Sequence, residues 1–251
     1  MSADLYFAFT LIVKMAVTAG FVVVATVVAE RAGPVYIFLA MDHDASFIAQ
    51  SAVASLLING ANGIFATAYS LLAQKRSLLA SLAGAYLAWF ICVVAIRALD
   101  WSFAGAAAMN VVVLGLCMVL TRAVRHLRMP PFHARWADML LRATMVAVLV
   151  AVVVTFSFQL GAAGSGVLAV FPVVMTSIAL VMHPRMGGKA SAAVLANTPL
   201  GLLGFAGACS VLHFAAVPFG TPAGLALALL TSIGWSLLMM LFLRTPAPEL
   251  T

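Results

Sequence analysis

Charge is what this sequence has least of. Only 8% of its 251 residues are Asp, Glu, Lys or Arg, against roughly 25% in water-soluble domains, so no soluble surface can be built from them. Cysteine is scarce as well. Cys92, Cys117 and Cys209 stand apart inside apolar runs without CxxC spacing, which argues against a disulfide framework or a thiolate metal site and for three small buried hydrophobes. No HExxH, GxSxG, P-loop GxxxxGK[ST] or Gly-rich dinucleotide fingerprint occurs. The seven acids lie scattered at or near loop ends, with no carboxylate pair inside an apolar run. A bis-His haem or quinone site would need His213 and His43 at one depth, and nothing else in the sequence calls for one. The chain is therefore expected not to be an enzyme and to hold neither cofactor nor metal. A polar stretch long enough to make a soluble domain is also missing.

What is present is hydrocarbon. The sequence is 65% hydrophobic with a mean hydropathy of +1.16, arranged in continuous runs that approach or exceed the ~20 residues a helix needs to cross a bilayer. Strands of a membrane barrel alternate in segments of ~10 residues instead. The fold class expected is all-α, a polytopic helical membrane protein. The first run begins at Leu5 after Asp4 and has no basic n-region, so it is expected to be a retained helix and not a signal peptide.

Eight full spans can be placed, at residues 5–29, 47–73, 78–96, 103–120, 139–158, 167–182, 190–214 and 225–243. Residues 33–41 form a further apolar segment of half length, too short to cross as an ordinary helix. The longest polar connection carries Arg122, Arg125, Arg128 and Arg135 with the helix-stopping pair Pro130-Pro131. It divides the chain into a first transmembrane half (1–121), a basic linker (122–137) and a second transmembrane half (138–251).

The net charge of +6 would suggest nucleic acid in a soluble protein. Here the basic residues fall in alternate loops, at Lys75-Arg76, Arg122 to Arg135, Arg185 with Lys189, and Arg244, so the positive-inside rule accounts for them. That assigns these loops, the linker and the C-terminus to the cytoplasm of a bacterial inner membrane and leaves no role for nucleic acid. The side of the N-terminus depends on whether residues 33–41 cross.

Matching Lys14 to Arg142 sets residues 33–41 against 167–182, 47–73 against 190–214, and 78–96 against 225–243, with 103–120 as a connector. His43 and His183 then fall on opposite faces, as an inverted repeat requires, although the first half is shorter in this stretch. Interrupted apolar segments in corresponding places of two halves point to a transporter binding site.

Polar residues inside the membrane are candidate site residues, because an unsatisfied polar group in hydrocarbon is expensive. Asn59 and Asn62 share a helix face and suit either interhelical hydrogen bonds or a solute path. Pro199, following Asn197 and Thr198, would free the carbonyl of Leu195. Pro172 would free that of Leu168, with Thr176 and Ser177 a turn on. These eight residues are the expected solute-binding set. Asp42, His43 and Asp44, with Lys14 in the first span, are the expected proton-coupling set, His being the side chain most easily titrated near neutrality. His183, Arg185 and Lys189 would contact an anionic solute or lipid phosphate at the inner face.

The function expected is a small bacterial inner-membrane secondary transporter or permease for a small polar or anionic solute, proton-coupled in its fullest form. Its partners would be the lipid bilayer and that solute, and homo-oligomers are compatible with it. The alternative is a non-transporting scaffold or assembly factor whose basic linker docks a partner or anionic lipid.

Overall fold

The structure, a computed structural model, describes residues 34–125 and 136–242. The expected first span with Lys14, most of the basic linker and the C-terminal tail lie outside the described residues. Among those described, every regular element is a helix: α1 (Pro34–Asp42), α2 (Ala45–Leu72), α3 (Leu78–Arg97), α4 (Phe103–Leu120), α5 (Arg122–Arg125), α6 (Trp136–Ala169), α7 (Val173–Ala196), α8 (Thr198–Phe219) and α9 (Thr221–Phe242). α1 comprises nine described residues, Pro34–Asp42, and residue 33 lies outside the described ones.

Helix starts follow local chemistry. The orphan N–H groups of a first turn need an acceptor. Asp44 accepts from the Phe47 amide, Ser77 from that of Ala80 and Ser102 from that of Gly105. Three of the chain's sharp turns are set by glycine. Gly161 (φ 65°), Gly187 (φ 82°) and Gly220 (φ 83°) are the described residues with positive φ, a region that glycine enters without steric penalty.

The first two glycines fold the run from Trp136 to Phe219 into successive legs. Ser157, near the end of the first leg, meets His43, whereas Asp138, near its start, meets Arg185. After Gly161 the chain turns back and runs beside α2 in the same direction, Ser51 facing Ala162 and Asn62 facing Val170. After Gly187 it reverses again. Ser70 then meets Ala192, Asn59 meets Leu202 and Ala49 meets His213, so α2 and α8 are antiparallel. Two of these legs are interrupted, at residues 170–172 between α6 and α7, and at Asn197 between α7 and α8.

α2 is the axis of the fold. In its most apolar window 78% of residues are buried, against 28% for α3, 22% for α4 and 17% for α9. Leu87, Phe90, Ile91 and Val94 of α3 and Leu230, Leu237 and Leu241 of α9 are exposed. Such a surface is out of place in water, but it is what lipid requires. Five helical stretches are long and apolar enough to cross a membrane, the folded run 136–219 counting as one, which fits a multi-pass membrane protein.

Candidate functional site

Read from one end to the other, α2 turns a polar stripe towards the two interrupted legs. Ser51, Ser55, Asn59, Asn62, Tyr69 and Ser70 are all buried. The first four are spaced by four, four and three residues, which keeps them on one side of a helix.

Opposite Ser51 and Ser55, the leg that starts at Ala162 comes in very close. A Cβ on Gly166 would sit 2.3 Å from the Ser51 carbonyl oxygen, so only glycine lets the backbones meet here. That approach brings carbonyls within reach. Ser51 Oγ donates to the Ala162 carbonyl (2.9 Å), Ser55 Oγ to that of Gly166 (2.6 Å), and Asn62 Nδ2 to that of Val170 (2.8 Å).

The last of these bonds is set by the break. The final carbonyls of a helix have no intrahelical partner, and with Pro172 ending the register the Val170 carbonyl is served by the Asn62 amide. The expectation was that Pro172 frees the Leu168 carbonyl. In the structure that oxygen accepts the Phe171 N–H (3.0 Å). The proline therefore releases a group two residues further on. Thr176 Oγ1 donates to the Pro172 carbonyl (2.7 Å), so its own oxygen accepts from Tyr86 Oη (2.6 Å). Asn62 Oδ1 accepts from Trp89 Nε1 (2.7 Å). Phe171 closes the group, its ring 5.6 Å from Tyr86 and 5.2 Å from Trp89. Asn62, Pro172 and Thr176 of the expected site thus come together around one break, joined by Tyr86 and Trp89. Ser177 bonds the Val174 carbonyl within its own helix (2.7 Å).

One turn away, Asn59 Nδ2 donates both to Asn110 Oδ1 and to the Leu202 carbonyl (2.9 Å each), and Asn110 Nδ2 donates to Leu56 and Ala106 carbonyls. Both Asn59 amide protons are used. Its Oδ1 is buried without a partner, as is Ser165 Oγ. Burying such an acceptor is costly unless something meets it.

The second break is milder. Asn197 keeps near-helical backbone angles (φ −86°, ψ −11°), and its amide N–H serves the Leu195 and Val194 carbonyls, so the oxygen expected to be freed by Pro199 is taken. Asn197 is exposed, and its Nδ2 turns back to the Ala193 carbonyl (2.9 Å). The structure does not bring Asn197 to Asn59. Pro199 is buried and Thr198 half-buried at the start of α8.

At the end of α2 that begins with Ala45, His43 lies flat on Phe47 (ring centroids 3.7 Å) with Nε2 2.7 Å from Ser157 Oγ. Asp42 and Asp44 are exposed. Asp44 spends its carboxylate on capping α2. The Phe47 amide, then the Ser46 hydroxyl, hold its carboxyl below the usual carboxylate range. At the other end, Tyr69 Oη lies 2.9 Å from both His183 Nδ1 and Ser191 Oγ. Arg185 donates to Asp138 (2.5 Å), so it is engaged by a carboxylate, and Lys189 is exposed. Among the described residues no three His, Cys, Asp or Glu side chains gather as a metal site would require.

Comparison of the chain with family models, with curated proteins and with solved structures found no match. Its functional reading therefore rests on this geometry.

Proposed function

We propose that the chain is a multi-pass membrane transport protein, a secondary transporter or permease whose solute path follows the polar face of α2. The observation that carries this reading is the break at residues 170–172, set against Asn62 within the most enclosed helix. An interrupted helix that offers backbone groups inside a bilayer is tolerated only where protein or a cavity receives them, and such places are typical of transporter sites. Here the released carbonyl is held by a single side-chain amide, which a solute hydroxyl or amide could replace.

The stretches that face one another, residues 45–72, 162–182 and 198–219, contain no Asp, Glu, Lys or Arg. That favours a small polar solute recognised by hydrogen bonds and aromatic faces over an anion recognised by a countercharge. The antiparallel pairing of α2 with α8 supports an inverted repeat. Counting the legs of the folded run separately gives seven apolar helical stretches among the described residues, compatible with eight spans once the apolar sequence 5–29 is added, and the alternation of basic loops favours a cytoplasmic C-terminus in a bacterial inner membrane.

The test is uptake into proteoliposomes of a labelled panel of neutral and zwitterionic amino acids, sugars and small carboxylates. Transport of a neutral or zwitterionic member, reduced at least tenfold by Asn62→Ala, is the expected result. No uptake of any member, with a stoichiometric partner recovered from native membranes, would replace this reading with the scaffold role.

A further inference from the structure

Three described histidines sit at helix contacts, and hydroxyl proton counting separates one from the others. Ser157 Oγ donates its single proton to the Val154 carbonyl (2.9 Å), so towards His43 it can only accept, and His43 Nε2 carries a hydrogen there. The Ala49 carbonyl can only accept, so His213 Nδ1 carries a hydrogen too. Both bonds are the same whether the ring is neutral or charged.

His183 is different. Its Nδ1 faces Tyr69 Oη, a group that can donate or accept, and Tyr69 in turn faces Ser191 Oγ, which can do either as well. Tyr69 and Ser191 are fully buried, so neither can turn to water instead. His183 is only partly buried, next to exposed Pro184 and Arg185, and can exchange a proton with solvent.

We propose that His183 is a reversible proton-binding site whose charge state is passed through Tyr69 to Ser191. With the ring neutral, Tyr69 Oη–H donates to Nδ1 and Ser191 Oγ–H donates to Tyr69. Taking up one proton from water places a hydrogen on Nδ1, which now donates to Tyr69, and the Tyr69 hydroxyl swings to donate to Ser191. Both contacts are kept with their direction reversed, the Ser191 hydroxyl hydrogen rotating off Tyr69 as that oxygen becomes the acceptor. Ser191 belongs to the leg that follows Gly187, where the contact with α2 is tightest. A Cβ on Gly188 would lie 1.8 Å from the Ala73 carbonyl oxygen, and Ser70 Oγ bonds the Ala192 carbonyl (3.1 Å). A reversal at Ser191 is therefore delivered to an interface with little slack.

The charged and titratable groups at this end are Arg185, bound to Asp138, and Lys189 on α7, Arg142 on α6, Arg122 and Arg125 on α5, and Lys75 and Arg76 just past α2. Tyr86, Cys92 and Arg97 of α3 and Cys209 of α8 are the remaining titratable groups on elements packed against α7, besides His213 on α8. The cations oppose charging of the ring, and Asp138 offsets them in part.

The proposal stands apart from any solute, and its test needs none. The imidazole nitrogen signals of the full-length protein in nanodiscs are followed by NMR from pH 4 to 9, that of His183 being assigned by its loss in His183→Gln. Ser191→Ala removes the acceptor that the charged state needs and leaves the buried Tyr69 proton without a partner, so the His183 midpoint should fall by about one pH unit, a tenfold change in proton affinity. In a Tyr69→Phe background the same Ser191→Ala change should leave the midpoint where it was, since the link is gone. A His183 that does not titrate in this range, a midpoint unmoved by Ser191→Ala, or an equal shift in both backgrounds would each overturn the proposal.

Discussion

Replacing Gly166 with alanine puts one methyl group where the fold has no room. Built on the existing backbone, that carbon lies 2.3 Å from the Ser51 carbonyl oxygen and 2.7 Å from the Ala54 Cβ. Neither is the end of a flexible side chain, so the leg must move off α2. Forcing an extra carbon into a packed contact costs about 1–3 kcal/mol. Retreat of the leg also stretches the Ser51–Ala162 and Ser55–Gly166 bonds, worth roughly 0.6 kcal/mol each in a membrane protein. The sum is about 2–4 kcal/mol, or roughly 5–15 °C in melting temperature for a chain of this size.

The assay is thermal unfolding in detergent read by a thiol-reactive fluorophore, since Cys117 and Cys209 are buried and become reactive on opening. Gly201→Ala is the control, because nothing lies within 4 Å of its added carbon, and it should melt with the wild type or slightly above it. Gly166→Ala melting within a degree of wild type would refute the close approach of this leg to α2.

Other expectations follow from the same contacts. Asn62→Leu strands the Val170 carbonyl and the Trp89 indole N–H, at about 1–3 kcal/mol each, whereas Asn197→Ala, on an exposed residue, should stay within ~0.5 kcal/mol of wild type; the same melts compare them. Asp44 caps α2 with a carboxyl held below its usual range. Its contribution is therefore present above the ordinary carboxylate value of ~3.9 and is lost as pH falls through the lower folded value. Hydrogen exchange at residues 45–48 should quicken, after correction for intrinsic rates, on acidification below that point in the wild type and show no such step in Asp44→Asn.

The helices were largely legible in the sequence, because hydrocarbon demands continuous apolar runs and those runs are unmistakable. The break at Pro172 could be read for the same reason, since the missing proline N–H is a local property. The tight turns were harder. Residues 161–165 and 183–189 look like polar connections, yet helix resumes directly after Gly161 and Gly187, one glycine at positive φ being enough to reverse the chain.

Of the candidate site, Asn59, Asn62, Pro172 and Thr176 were visible as polar or helix-breaking residues in oily surroundings. Their partners Tyr86 and Trp89 were not, because aromatic residues are ordinary in a membrane helix and only the fold turns their polar atoms inward. Ser51 and Ser55 could have been found from their four-residue spacing ahead of Asn59. His183 was visible in its polar turn, but its meeting with Tyr69 and Ser191 was not, since the three come together only after two chain reversals. Asn197 was singled out by its neighbour Pro199. The backbone absorbs that proline with almost helical angles, and the side chain is left outside.

The account depends most on the polar face of α2 opening to water during a working cycle, because hydroxyls and amides that only fasten helices never need to. Ser55→Cys, nearly isosteric and fully buried, tests this directly in a chain whose Cys92, Cys117 and Cys209 have been replaced by alanine. In sealed vesicles a water-soluble, membrane-impermeant thiol reagent should modify position 55 from at least one side, more slowly than it modifies Ser77→Cys at the surface. A cysteine at 55 that stays unmodified from both sides over hours, yet reacts at once in denaturant, would contradict the account.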